Sequence, residues 1–192
     1  IILGNHLTSI DRRLIPRMSD GRPCRCRGHP YPERMPVILV GADTPHGRAI
    51  LPLLAPESGE IRCFVSDRAI GDELRSIGKI AVGDISDGTH VGGAAIGAFC
   101  AVLVAATAHD DRERHFAASP TDLFTQWADG LKEAGIGRII FVADQDDAAV
   151  SGPLAAAAPE FVVVPADQPL SDVAAQVARL EQAQKISGHQ GA

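Results

Sequence analysis

From residue 36 onward the chain alternates short, β-branched apolar runs with stretches whose apolar residues recur at helical spacing. Val37-Ile38-Leu39-Val40 reads as a buried strand stopping at Gly41, and Pro45–Leu54 carries Ile50, Leu51, Leu53 and Leu54 on a helix that Pro56 ends. Ile61–Val65 predicts a second strand, Gly71–Ile77 a helix, Ile80–Val82 a third strand before Gly83-Asp84, and Val91–Ala98 a short helix weakened by glycine. Ala101–Ala105 makes a fourth strand. Ser119-Pro120-Thr121-Asp122 combines a capping Ser, a Pro at the first helical position and an acid two residues on, and opens a helix through Lys132 that Gly135 closes. Its stripe is Leu123, Phe124, Trp127 and Leu131. Ile139–Val142 and Phe161–Val164 supply strands five and six, and Leu170–Ala183 a last helix. Unbroken apolar strands alternating with helices belong to a parallel sheet covered on both faces, so the expected class is α/β, a doubly wound Rossmann-type sheet. No repeat of 20–50 residues is visible.

Composition sets the limits around this domain. At 192 residues and 22% charged, the chain fits one α/β domain. Residues 1–34 hold Pro16, Pro23, Pro30 and Pro32, seven Arg and no apolar period, which predicts a disordered basic arm. The position of Met35 before the first strand suggests a native start at Met35 or Met18. The domain is then 35–185, with a flexible tail at 186–192. Residues 1–35 carry a net +4 and residues 36–192 a net −10, so any nucleic-acid binding would fall to the arm alone and is not expected of the domain. No apolar run reaches the roughly 18–20 residues of a spanning helix, and a cytoplasmic protein without a membrane partner is expected. Cys63 and Cys100 lie in apolar segments and read as reduced core residues. Cys24-x-Cys26-x-x-His29 falls short of the four ligands of a structural zinc site, and no metal is expected.

Ligands of a doubly wound sheet bind outside the carboxyl ends of its strands, beside the first strand-to-helix turn. Here that turn is Gly41-Ala42-Asp43-Thr44-Pro45-His46-Gly47. Gly41 permits the tight turn and Gly47 close helix–strand packing, with the helix N-terminus offering an anion site for a pyrophosphate.

Val37–Gly47, Ile61–Arg68, Gly83-Asp84-Ile85-Ser86-Asp87 and Ala101–Thr107 together resemble the atypical, NmrA-like branch of the short-chain dehydrogenase/reductase superfamily. The resemblance covers residues 36–144 clearly and 161–183 loosely. It implies NAD(P)(H) as cofactor, with Gly41, Thr44 and Gly47 lining the pyrophosphate and His46 among the cofactor-facing residues of the turn. It also implies Asp84 and Ile85 at the adenine, and Ala105, Ala106 and Thr107 beneath the ribose. Thr44 stands where the family has its middle glycine, and Pro45 removes an N–H from the turn.

The end of the second strand selects the cofactor, since an acid there binds the ribose 2′-OH and a base accepts a 2′-phosphate. Ser66-Asp67-Arg68 contains both signs. The family's NADP-binding Arg falls at Ser66, leaving Arg68 to supply the charge and a mild preference for NADP(H). A solvated charge pair is the competing reading.

The superfamily's Tyr and Lys pair is missing. The single Tyr is Tyr31, ahead of the first strand, and Lys occurs at 79, 132 and 185 alone. The strand that would end in the catalytic Ser ends in Ala143-Asp144. The remaining proton carriers are His46, His109 and His115, with His109 and Asp144 as the catalytic candidates at the ligand end of the sheet. A polar surface loop is the alternative for His109-Asp110-Asp111-Arg112-Glu113-Arg114-His115. The expected function is a cofactor-binding redox sensor or regulator with an unknown partner; the alternative is an NAD(P)H-dependent reductase of a small conjugated acceptor such as a quinone or flavin.

Overall fold

Six strands form one all-parallel sheet in the order β3-β2-β1-β4-β5-β6. They are β1 Val37–Val40, β2 Ile61–Val65, β3 Lys79–Val82, β4 Cys100–Val104, β5 Arg138–Ala143 and β6 Glu160–Pro165. The computed structural model describes residues 36–54 and 59–183, all within one compact unit, Tyr31–Ala192. The predicted arm and tail, Tyr31 and the helix-ending Pro56 lie outside the described residues. All four residues of β1 and all five of β4 are buried, as expected for central strands covered on both faces.

Successive side chains of β1 go to opposite faces of the sheet. Val37 and Leu39 join one core with Ile50, Leu51 and Leu54 of helix α1 (Pro45–Leu54) and Val173, Ala174 and Val177 of α7 (Leu170–Gln182). Ile38 and Val40 join the other with Val91 of α3 (Gly88–Ala95), Phe124 and Trp127 of α4 (Pro120–Glu133), and Leu154 of α6 (Gly152–Ala155). Free Cys63 and Cys100 are buried in the first of these cores, and burial pushes both thiols up, Cys63 to about 12.

Two helices begin three residues earlier than the apolar pattern predicts. Asp67 accepts the Ala69 N–H at 2.7 Å and starts α2 at Arg68–Leu74, and Asp87 accepts the His90 N–H at 3.1 Å and starts α3 at Gly88. The glycines that weaken α3 as a helix bring it against α4: a Cβ on Gly92 would stand 2.5 Å from the Gly130 carbonyl oxygen, and one on Gly130 1.9 Å from that of Gly88. The alanine-rich segment before β6 folds into α5 (Gln145–Ala149) and α6. Among the described residues no helix is long and apolar enough to cross a membrane.

The amino-terminal edge of the sheet is sealed. Arg138, 1% exposed, donates through Nε to Glu160 at 2.7 Å and through Nη1 to the Leu180 and Glu181 carbonyls at the end of α7. The carboxyl-terminal edge is open, and β1 and β4 are neighbours there with their following helices on opposite faces, which is the switch point of the fold.

Candidate functional site

The turn after β1 is locked from within. Gly41 has φ +86°, and a Cβ there would also meet the Thr107 methyl at 2.6 Å, so glycine is required on two counts. The Thr44 hydroxyl donates to the Gly41 carbonyl at 2.7 Å and accepts the Gly47 N–H at 3.0 Å. Its side chain is thus folded into the turn, where it replaces the rigidity that a glycine-rich sequence gains from backbone contacts. A Cβ on Gly47 would stand 2.1 Å from the Gly41 carbonyl oxygen, which makes this position the tightest helix–strand contact of the turn. Thr107 lies beneath it, buried, with its hydroxyl donating to Val104 at 3.0 Å.

A cavity of about 460 Å³ opens on each side of this turn, the second slightly larger at about 470 Å³. The first lies over β2 and β3 and is lined by Ser66, Asp67, Arg68, Gly83, Asp84, Arg112, Glu113 and His115. Asp84 accepts the Ser86 N–H and hydroxyl on one oxygen (2.8 and 2.6 Å) and the His115 N–H and ring Nδ1 on the other (both 2.8 Å). The ring contact requires the proton on Nδ1. Burial pushes the Asp84 carboxyl up, but the bonds from Ser86 and His115 outweigh it and hold the group at about 2. Ile85 turns its side chain into the core and its carbonyl accepts the Trp127 indole N–H at 2.7 Å, so Asp84 is the member of the expected adenine pair that lines the cavity.

The connection between β4 and α4 straps this side. Arg112 grips Asp110 through Nε, at 2.7 Å to each carboxylate oxygen, and reaches Asp43 and Ser66 through Nη1, 3.0 Å each. Arg114 donates to the Thr107 and Asp110 carbonyls at 2.9 and 3.0 Å. Asp43 is nearly buried, and among the described residues its second oxygen, Oδ1, has no hydrogen-bond partner. Arg68 opens α2 and is exposed, while Asp67 spends its carboxylate on the α2 cap.

The second cavity lies over β4 and β5, with apolar walls from Val104, Ala105, Ala106, Val142 and Ala143 and polar groups His46, His109, Asp110, Asp144, Asp147 and Asp167. His109 donates from Nε2 to both oxygens of Asp147, 2.9 Å each. Asp147 is 4% exposed, and burial raises its carboxyl above the usual range while His109 pulls it back. Asp144 is exposed and accepts the Asp147 N–H at 2.9 Å, capping α5 and setting Asp147 in place. His46 donates from Nε2 to the Ala166 carbonyl at 3.0 Å, tying α1 to the loop after β6. His109 and Asp144 therefore meet in one cavity, while His115 sits in the other on Asp84.

Sequence reasoning missed Asp147, Asp43 and Arg112. Asp147 stands in an acidic run with no signal separating it from Asp144 and Asp146, whereas Asp43, inside the glycine turn, was open to notice. Among the described residues neither Lys79, at the opposite edge and paired with Glu60, nor Lys132, on α4, lines either cavity, and no group of three or more ligating side chains could hold a metal.

No protein-family model matches the chain, and no curated protein matches it in sequence. Solved structures do. An NADPH-dependent quinone oxidoreductase of Escherichia coli, determined with NADPH, superposes with a TM-score of 0.63 at 13% identity, over 78% of this chain and 65% of that one. The anaerobillin reductase ChuY of E. coli O157:H7 gives 0.56 at 17% identity over 78% and 91%, and a mutant NmrA 0.53 at 17% over 69% and 45%. The chain thus spans about 65% of the length of the quinone oxidoreductase. At these identities the likeness is one of fold, and that fold is the Rossmann-type domain found in NmrA-like proteins and NAD(P)-dependent reductases.

Proposed function

We propose that the chain binds NAD(P)(H) along the carboxyl-terminal edge of its sheet, with the adenosine half over β2 and β3 and the nicotinamide half over β4 and β5. The observation that carries this reading is the pair of near-equal cavities on either side of one glycine turn at the switch point. The lining fits a dinucleotide. Asp84 offers carboxylate oxygens for an adenine amino group, and Ala105 and Ala106 leave a smooth apolar wall.

The side chains of the second cavity support reduction of a small conjugated acceptor. When bound, the cofactor supplies a hydride. His109, held through Nε2 by Asp147, would carry the proton that the reduced acceptor needs: as imidazolium it donates from Nδ1 while Nε2 stays on the carboxylate. With no Tyr–Lys pair among the described residues of this edge, an unactivated ketone lacks a strong oriented acid. A quinone or flavin spreads the incoming charge by conjugation and makes a smaller demand on the donor.

The strap supports a second reading, a redox sensor. His115 already occupies one oxygen of Asp84, so an adenine bound there would exchange with it and move the connection between β4 and α4. The two readings separate in one experiment. NADH and NADPH are titrated into the full chain, and their oxidation is then followed with quinones, free flavin and simple ketones. Saturable binding with quinone or flavin turnover supports the reductase; binding without turnover supports the sensor; the absence of saturable binding overturns both.

A further inference from the structure

The end of β2 is where a doubly wound sheet meets the ribose 2′ position, yet β2 of this chain brings no charge of its own there. Ser66 is neutral, Asp67 is spent capping α2, and Arg68 is an exposed residue of the first helical turn. The cation nearest Ser66 arrives from a different element. Arg112 crosses from the connection between β4 and α4 and places Nη1 at 3.0 Å from the Ser66 hydroxyl, and at the same distance from Asp43.

We infer that Arg112, and not Arg68, is the residue that distinguishes NADP(H) from NAD(H), by pairing with the 2′-phosphate beside Ser66. This rests on the proposal that the cavity over β2 and β3 takes the adenosine half. Three features fit Arg112 for that task. Its side chain is 15% exposed, so its charge is weakly screened, whereas Arg68 is open to solvent. Asp110 holds Nε and Nη2, so the guanidinium is already oriented before a ligand arrives. Arg112 and Ser66 both line the cavity over β2 and β3, so the guanidinium and the hydroxyl meet at one ligand space. Fastening the strap does not by itself require Arg112, because the His115 and Phe116 N–H groups tie the same connection to Asp84 and the Ser86 hydroxyl.

The test is calorimetric titration of the full chain with NADPH, NADH and 2′,5′-ADP. Arg112→Ala should weaken NADPH and 2′,5′-ADP by about 10- to 100-fold, the range of a charge-assisted contact, and leave NADH within about twofold. Arg112→Gln, which keeps a donor and most of the volume, serves if the alanine variant unfolds and should give the same discrimination. Arg68→Ala should leave the NADPH-to-NADH ratio in place. Equal loss for the two cofactors, no loss for either, or a ratio that moves with Arg68 instead would overturn the assignment to Arg112 while leaving the site standing. A wild-type chain that binds neither cofactor would remove the site itself, and this assignment with it.

Discussion

The cavities over β2–β3 and β4–β5 flank one turn but are built of different material. Over β2 and β3 the lining is charged, and two of its carboxylates are engaged in advance: Asp84 by Ser86 and His115, and Asp67 by a helix cap. Over β4 and β5 the walls are apolar and one His–Asp pair stands among them. The first arrangement discriminates, because a ligand gains there by matching donors and acceptors already fixed in position. The second suits chemistry, because an imidazole oriented by a carboxylate stands beside an apolar wall.

The turn between the two cavities gives the largest expected effect. Gly47→Ala drives a methyl into the Gly41 carbonyl, 2.1 Å away, and should cost about 1–3 kcal/mol of stability and abolish binding of both cofactors. Thermal melting and titration check it. A variant that melts and binds like wild type would show that the cavities do not depend on this turn.

His109→Ala separates the two sides. Turnover of a quinone or flavin should fall by about 10²–10⁴-fold with NADPH affinity unchanged, since His109 lines the second cavity alone. Equal loss of affinity and rate would mean that His109 shapes the binding site and does not move the proton.

Asp84 and Asp147 should respond to pH with opposite signs. Asp84 is held at about 2, below its usual value of 3.8, so its contribution is present above pH 4 and lost as pH falls toward 2. Asp84→Asn should therefore lose less stability than wild type between pH 4 and 2. Asp147 is raised by burial, so the stability it contributes is present at low pH and lost as its carboxyl ionises. The smallest effect follows: Asp147→Asn should melt at or slightly above the wild-type temperature at neutral pH, its amide oxygen still accepting from His109. A clear drop in melting temperature would show that the His109 pair stabilises the fold outright.

The sheet was legible because its strands are continuous apolar runs and its turns carry Gly41, Gly83 and Gly135. Helix starts were less so. In α2 and α3 the capping acids Asp67 and Asp87 decide the start, ahead of the first apolar residue, and α3 tolerates Gly88 and Gly92 because they let α4 approach. At the site, Asp84 and His109 could be named from their places after β3 and β4. Their pairings could not, because His115 and Asp147 lie 31 and 38 residues away and are joined to them through the fold. Arg112 was hidden for the same reason: in sequence it is one charge in a polar run, and its closeness to Ser66, 46 positions earlier, exists only once β4 lies beside β1.

Whether one dinucleotide spans both cavities is tested most directly by titrating the full chain with NADPH in the presence and absence of 2′,5′-ADP. One saturable site per chain is expected, with 2′,5′-ADP competing for it because the adenosine half fills the cavity over β2 and β3. No saturable heat with NADPH, or NADPH binding that 2′,5′-ADP leaves untouched, would contradict a dinucleotide site on this edge.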